Sequence, residues 1–232
     1  MNVDEFKNEV IKLGIDIDNE KLNLLEKYYS LLISWNDMMN LTTITEKNDV
    51  YLKHFYDSLT ISKVIDLKNE NSFCDIGTGA GFPGIVIKIF FPHLKITLVD
   101  SLNKRIKFLN VVCNELGLKD VNLIHGRAEE FAKENRDSFD VVTARAVSSF
   151  NILLEYSIPI IKVNKYFVAM RGNDDSVSGI NALKILNCDI LKKEIFNLPY
   201  ENSSRCLILV KKEALTSLKY PRKNAIMKKN PL

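Results

Sequence analysis

The sequence FCDIGTGAGFPG at residues 73–84 joins a short apolar run to an apolar helical pattern through a turn that is rich in glycine. Glycine lacks Cβ, so its backbone can bend sharply and approach a ligand closely. Pro83 favours the φ angle of a first helical turn. Ligands of open parallel sheets bind beyond the carboxyl ends of the strands, which is where this turn would lie. The stretch therefore predicts a strand, a ligand-binding turn and a helix, in that order.

The spacing of these glycines bears on which ligand the turn would bind. The dinucleotide fingerprint GxGxxG matches Gly77 and Gly79, but its third glycine falls on Phe82, whose side chain would block a pyrophosphate. The pattern GxGxG, led by Asp75, instead resembles the first motif of methyltransferases that use S-adenosylmethionine, a cofactor without phosphate. Because glycine turns are only moderately specific, another nucleotide or a purely structural turn stays an alternative.

Short β-rich runs alternate with helical patterns from Ser72 onward. The predicted strands are Phe73–Ile76, Ile96–Val99, Val121–Ile124, Asp140–Thr143, Tyr166–Met170, Ile190–Phe196 and Cys206–Val210. The predicted helices lie near residues 83–91, 103–116, 128–134, 150–161 and 178–186. This alternation implies parallel βαβ units and a doubly wound sheet. The last two runs have no convincing helix between them, so we expect a hairpin at one edge.

The first 65 residues are expected to be helical. Leu25, Tyr28 and Leu32 follow a helical spacing, and no alternating strand pattern occurs there. We therefore expect three parts: a helical N-terminal extension that packs on the core (1–70), an α/β domain (71–212) and a basic C-terminal tail (213–232).

The composition is typical of a globular protein, with 46% apolar and 26% charged residues in a chain of 232. We expect no membrane span and no secretory signal, because charges or prolines interrupt the apolar runs and acids precede the first of them. The four cysteines lie far apart and are interpreted as reduced thiols of a monomeric, cytoplasmic protein. The net formal charge of +6 over residues 211–232 suits contact with a phosphate backbone. A solvated, frayed terminus is the alternative.

Polar residues follow three further strands at the expected ligand edge. Asp100 ends the second strand, 19 residues after Gly81, which suits a carboxylate that binds ribose hydroxyls; its alternative role is a helix N-cap. The backbone of Ala128 and Glu129 could bind the edge of adenine, or Glu129 could simply favour a helix N-terminus. Arg145 could pair with a cofactor carboxylate or orient a base or phosphate, and a lone surface arginine is its alternative.

The sequence lacks the residues that several other classes of methyltransferase and metal-dependent enzyme require. The fourth strand lacks the Asn/Asp-Pro-Pro-Tyr sequence of exocyclic-amine methyltransferases, and no Pro-Cys nucleophile is present. His54, His93 and His125 are scattered, so no metal site is expected. Guanine N7 would suit the chain, because it carries a free lone pair and no proton and so needs alignment rather than a base. The residues alone do not select N7 over other target atoms.

Seven short motifs occur together along the chain. They are WN (35–36) with NLT (40–42), HFYDSL (54–59), the glycine turn (73–84), DSLNKR (100–105), RAEEF (127–131), TARA (143–146) and KYPRK (219–223). In this combination the sequence resembles the bacterial 16S ribosomal RNA guanine-N7 methyltransferase family (RsmG, also called glucose-inhibited division protein B). The resemblance covers nearly the whole chain, although the residues that follow KYPRK depart from the usual ending of the family.

The resemblance implies a class I S-adenosylmethionine-dependent methyltransferase fold, Rossmann-like, with a seven-stranded, mostly parallel sheet and a helical N-terminal extension. It also implies methyl transfer from S-adenosylmethionine to N7 of a guanine in 16S ribosomal RNA near the decoding centre, with this RNA or the small ribosomal subunit as partner. The resemblance places cofactor-binding positions at Gly77, Phe82, Ala128, Glu129 and Arg145, and the turn and the second strand add Gly79 and Asp100 as further candidates. No catalytic base is assigned.

Basic residues are the candidates for binding the substrate, namely Lys104, Arg105, Arg145, Arg171, Arg222 and Lys223. Those at strand ends would form a phosphate-binding rim around the cofactor, whereas a solvated helix face is the alternative for Lys104. His54 and Asp57, one helical turn apart, could fix the extension onto the sheet domain. The alternative function is a methyltransferase that acts on a small molecule; a nucleotide-binding oxidoreductase and a non-catalytic binding module are further alternatives.

Overall fold

All seven predicted strands form, and they build one sheet in a computed structural model that describes residues 1–145 and 148–232. The strands are β1 (Ser72–Ile76), β2 (Lys95–Asp100), β3 (Val121–His125), β4 (Phe139–Arg145), β5 (Ile161–Arg171), β6 (Cys188–Asn197) and β7 (Ser204–Lys212). They lie in the order β3-β2-β1-β4-β5-β7-β6. The first five pair in parallel, and β7 runs antiparallel to both β5 and β6. The predictions of a doubly wound, mostly parallel sheet and of an edge hairpin are confirmed.

The direction of strand order reverses at β1. β2 and β3 continue to one side of it, whereas β4 and β5 continue to the other. Ile76 is paired with Val99 of β2 and with Ala144 of β4, so the carboxyl ends of three strands lie side by side. A crevice forms at such a reversal point, and the turn after β1 lies at its floor.

Helices cover both faces of the sheet. They are α1 (Val3–Lys12), α2 (Asn19–Met39), α3 (Lys47–Val50), α4 (Asp57–Leu59), α5 (Gly84–Phe90), α6 (Asn103–Glu115), α7 (Ala128–Glu134), α8 (Phe150–Ser157), α9 (Ile180–Leu186) and α10 (Asn224–Lys229). A π-helical turn joins α3 to α4, and 3₁₀ turns occur at Thr60–Lys63, Leu67–Asn69, Ile158–Ile160 and Ser176–Gly179. Within the described residues, the helices are all too short or too polar to cross a lipid bilayer.

Successive side chains of the central strands enter different cores, because they point to opposite faces of the sheet. Phe73 and Val141 are buried in a core that includes side chains of α1, α2, α5 and α6. Cys74 and Val142 are buried in a second core with α7, α8 and α9. All four cysteines are free and buried, and burial raises the pKa of each thiol.

The N-terminal helices share the first of these cores, and the helical prediction for this region is confirmed. The rings of Phe6 and Tyr51 meet edge to face with centroids 5.3 Å apart, and Tyr28 stacks on Phe55 at 5.7 Å. α2 contacts both α5 and α6. The division of the chain after residues 70 and 212 stays a prediction.

The boundary between α8 and β5 differs from its prediction. The helix expected to reach residue 161 ends at Ser157, and the next turn contains Pro159, which has no N–H to continue the helix. β5 then begins at Ile161 rather than at Tyr166. Its pairing with β4 shifts register between these two points, and such a bulge interrupts the alternation that marks a strand in a sequence.

The C-terminal tail is packed rather than frayed. Tyr220 and Met227 are buried in the second core, and residues 224–229 form α10. The alternative of a frayed terminus is therefore wrong, although most of the tail's other side chains are exposed.

We expect Gly84→Ala to lower the free energy of unfolding by about 1–3 kcal/mol, which is the usual cost of overpacking a core. A Cβ on Gly84 would lie 2.2 Å from Leu98 Cδ2 and 3.0 Å from Asp75 Oδ2. Denaturant unfolding measures the effect. Gly172→Ala is the matched control, because nothing lies within 4 Å of its Cβ, and it should change stability by less than about 0.5 kcal/mol. Equal stability of the two variants would contradict this packing.

Candidate active site

The glycine turn is held from below by Asp75. This carboxylate is fully buried, and its Oδ2 accepts hydrogen bonds from Gly84 N at 2.9 Å and from Thr78 Oγ1 at 2.7 Å. The same atom thus ties the middle of the turn to the start of α5. Gly77 and Gly79 have φ angles of 71° and 62°, in the left-handed region that favours glycine.

The protonation of Asp75 follows from its burial. Desolvation raises its pKa to about 6, and the hydrogen bonds from Thr78 and Gly84 act in the opposite direction. Its second oxygen, Oδ1, has no hydrogen-bond partner among the residues that the structure describes.

Asp100 fixes the turn from the side of β2. Its Oδ2 accepts from Gly79 N at 2.9 Å and from Arg105 Nη1 at 3.1 Å, and its Oδ1 accepts from Leu102 N at 2.9 Å. Leu102, not Asp100, is the N-cap of α6, and no side chain accepts a hydrogen bond at that cap, so the alternative of Asp100 as a helix N-cap is wrong. The bond from Leu102 N instead helps to orient the Asp100 carboxylate, which lines the crevice.

Two cavities share the turn. The larger has a volume of about 980 Å³ and extends from Gly79 and Phe82 to Arg145. The smaller has a volume of about 160 Å³ and is bounded by the loop before α7, by α8 and by α10. Gly77 and Asp100 line both cavities, which lie on either side of the carboxyl ends of β1 and β2.

A buried carboxylate joins three elements at the far end of the larger cavity. Asp57 Oδ2 accepts from Arg145 Nη1 at 3.1 Å, and Asp57 Oδ1 accepts from Arg205 Nε at 2.9 Å. Arg145 belongs to β4 and Arg205 to β7, so Asp57 ties α4 to the sheet on both sides of β5. The prediction that this motif fixes the extension onto the sheet is confirmed for Asp57.

His54 lies in the same cluster. Its ring stacks on Phe82 with centroids 4.4 Å apart and an angle of 15° between the planes. The Arg145 guanidinium lies 5.5 Å from the Phe82 centroid. Burial, with the positive charge of Arg145, lowers the pKa of His54 to about 3, so the imidazole is neutral at physiological pH.

Most of the predicted site residues come together at these cavities. The larger is lined by Gly77, Gly79, Phe82, Asp100, Arg105, Arg145 and Arg171. Ala128 and Glu129 line the smaller cavity together with Gly77 and Asp100. Ala146, the last residue of the TARA motif, lies outside the described residues. The cofactor-binding roles of the residues in these two walls stay predictions.

Several basic residues predicted to bind RNA have partners within the protein. Arg171 donates to both carboxylate oxygens of Asp175, and Arg222 does the same with Glu155. Lys104 Nζ donates to Met39 O at 2.6 Å from an exposed position. Lys223 is exposed before α10. The charges of Arg171 and Arg222 are thus neutralised locally, whereas the two lysines lie on the surface outside both cavity walls.

Arg205 is a cavity residue that the sequence analysis missed. Because β7 is antiparallel to β5, its first residues lie at the edge where β5 ends, and Cys206 is paired with Arg171. The expected hairpin already implied this direction, and it was the signal that could have found Arg205. Among the described residues, no group of three or more His, Cys, Asp or Glu side chains could hold a metal ion.

We expect Asp75→Asn to change how stability depends on pH. Between about pH 4 and pH 6 the folded protein retains a proton on Asp75 that the unfolded chain has released. The contribution of this group to stability therefore falls as the pH rises through that window, by about 3 kcal/mol in all.

The asparagine retains an oxygen acceptor for Thr78 and Gly84 but does not titrate, so that fall should vanish. Denaturant unfolding at several pH values measures it, and Asp120→Asn, an exposed site, is the control that should keep the parent slope. Parallel curves for the parent and Asp75→Asn would contradict the assignment.

Comparison with solved structures shows the same fold at low sequence identity. A precorrin-6y C5,15-methyltransferase from Geobacter metallireducens superposes with a TM-score of 0.55 at 16% identity, over 80% of this chain and 98% of that chain. An S-adenosylmethionine-dependent methyltransferase from Aquifex aeolicus gives a TM-score of 0.53 at 17% identity, over 74% of this chain and 96% of that chain. The sheet is thus that of class I methyltransferases.

Comparison of sequences is more specific. The family model for rRNA small subunit methyltransferase G matches residues 21–198. The proteins of that name from Exiguobacterium sibiricum and Bacillus cytotoxicus are 46% and 45% identical to this chain over its whole length, and the alignments cover 100% and 99% of those proteins. The chain therefore belongs to the rRNA small subunit methyltransferase G family.

Proposed function

We propose that the protein transfers a methyl group from S-adenosylmethionine to N7 of a guanine in 16S ribosomal RNA, near the decoding centre. Membership of the family supports methyl transfer to small-subunit ribosomal RNA rather than to a small molecule. The observation that carries the proposal is the pair of cavities that share Gly77 and Asp100 at the reversal point of the sheet. We further propose that the protein acts as a monomer in the cytoplasm, where ribosomal RNA is made.

The residues of the crevice fit S-adenosylmethionine. At Gly79 no atom lies within 4 Å of an added Cβ, so the ligand side of the turn is open. Among the described residues Asp100 Oδ1 accepts one hydrogen bond, from Leu102 N, and it could accept another from a ribose hydroxyl. Arg145 could bind the carboxylate of the amino acid moiety, and the backbone of Ala128 and Glu129 could bind adenine. When bound, this cofactor supplies a methyl group on a positively charged sulfur.

The electrostatics of the cluster around Asp57 fit a target that needs no base. Arg145 and Arg205 share one carboxylate, so the three groups together carry a net positive charge beside the larger cavity. Neutral His54 adds no charge and is held in place by Thr42, whose Oγ1 lies 3.0 Å from His54 Nε2. We infer that these residues bind an anionic part of the cofactor or RNA and exclude water, while the lone pair of N7 attacks unaided.

The substrate side of the proposal rests on exposed cations. Lys104 lies at the start of α6, next to the crevice residue Arg105, and Lys223 lies at the start of α10. Such lysines suit contact with phosphates of the RNA backbone. The paired arginines Arg171 and Arg222 would have to exchange a carboxylate for a phosphate to do the same, so we expect a smaller share of the binding from them.

A methylation assay tests the proposed function directly. Small subunits that lack the modification are incubated with the protein and labelled S-adenosylmethionine, and the modified nucleotide is mapped by chain cleavage at 7-methylguanine. We expect one guanine of 16S ribosomal RNA to be labelled. Label at another atom or only in small molecules would overturn the proposal.

We expect Asp100→Asn to weaken the binding of S-adenosylhomocysteine about tenfold or more, because hydrogen bonds to charged groups contribute roughly 1.5–3 kcal/mol. The amide would also place an N–H against Gly79 N or Leu102 N, which both donate to this side chain. Isothermal titration calorimetry measures the dissociation constant. Asp120→Asn on the surface is the control; a similar affinity of both variants would remove Asp100 from the site.

A further inference from the structure

The C-terminal segment is attached to α8 by charged contacts. Arg222 Nε and Nη2 donate to the two oxygens of Glu155 at 2.7 and 2.6 Å, and the backbone N–H of Arg222 donates to the same carboxylate at 2.9 Å. Glu155 is 1% exposed. Arg136 donates to the carbonyl oxygens of Thr216 and Tyr220. These contacts fix the path of the chain into α10.

This path brings α10 to the smaller cavity. Asn224 and Lys228 form part of its wall, together with Ala128 and Glu129. The last helix of the chain therefore closes a cavity whose other walls are the carboxyl ends of β1 and β2, the loop before α7, and α8.

Tyr156 gives independent evidence that this cavity takes a ligand. It follows Glu155 on α8, is 5% exposed and lines the same cavity. Its hydroxyl has no hydrogen-bond partner among the described residues. A buried hydroxyl without a partner is costly, so a polar group of a ligand in the cavity would satisfy it.

We propose that α10 completes the adenosine end of the cofactor site, with Asn224 and the Tyr156 hydroxyl as binding groups for the polar edge of the adenine. The inference rests on the proposed function, since it takes S-adenosylmethionine as the ligand. An asparagine amide offers both a donor and an acceptor, which matches the amino group and ring nitrogens of adenine. The wall holds Asp100 and Glu129 together with Arg127 and Lys228, so its formal charges cancel, which suits a neutral base.

On this proposal the basic tail contributes to the cofactor site as well as to the binding of RNA. Arg222, a candidate for binding RNA, anchors α10, whereas Lys228 is exposed and also lines the cavity. The exposed cations of the tail that lie outside this cavity are Lys219, Lys223 and Lys229, and these are left for RNA.

Calorimetry with two ligands tests the role of Asn224. S-adenosylhomocysteine contains the whole cofactor skeleton, whereas 5′-methylthioadenosine lacks the amino acid moiety. We expect Asn224→Ala to weaken both by the same factor, about threefold to tenfold, because a neutral hydrogen bond contributes roughly 0.5–1.5 kcal/mol. Asn230→Ala, an exposed asparagine beyond the same helix, should bind both as tightly as the parent.

The outcomes are distinguishable. If the parent binds neither compound, the proposed function itself fails. If the parent binds both and Asn224→Ala is indistinguishable from it, or if Asn224→Ala weakens S-adenosylhomocysteine alone, Asn224 does not serve the adenosine end and the inference is overturned.

Tyr156→Phe separates ligand binding from a structural role. The Tyr156 hydroxyl has no partner among the residues described here, so its removal should leave the melting temperature of the ligand-free protein unchanged or higher, while both ligands bind about threefold to tenfold more weakly. A structural hydroxyl would instead lower the melting temperature, and that result, or unchanged affinity, would overturn the assignment of Tyr156.

Discussion

The hydrogen bonds of one buried carboxylate determine the shape of the crevice. Asp75 Oδ2 binds both Thr78 in the turn and Gly84 at the start of α5, so the turn cannot move away from the sheet without breaking charge-assisted hydrogen bonds in a dry interior. Burial of this carboxylate costs stability, as its raised pKa shows. The fold thus gives up stability at neutral pH to keep a backbone surface open to a ligand.

The crevice is completed by segments that are distant in the sequence. Asp57 from the N-terminal helices is bound to Arg145 and Arg205 of the sheet, and Glu155 of α8 binds Arg222 of the last segment. In both places an acidic side chain that is at most 5% exposed meets arginines, which suits these rigid, always charged side chains. The N-terminal helices and the tail therefore act as walls of the site.

The sequence was informative where local chemistry decides the outcome. The turn at 73–84 predicted β1, the bend and α5, and strand ends such as Asp100 and Arg145 could be placed at one edge because parallel strands share a direction. Contacts between distant segments could not be predicted in this way. The residues around Arg205 and Arg222 in the sequence do not indicate which carboxylate each arginine will bind. Tyr156 has the sequence pattern of an ordinary core residue, and only the structure shows that its hydroxyl has no partner among the described residues.

The burial of the four cysteines has a consequence for a protein that handles an alkylating agent. A sulfonium compound reacts with thiolates, but burial raises the pKa of all four thiols and so keeps them protonated and poorly nucleophilic. Cys74 lies on β1 only three residues before Gly77, yet it faces the core and not the crevice. The protein's own thiols are thereby protected from methylation by the bound donor, so the methyl group remains available for transfer to the nucleic acid.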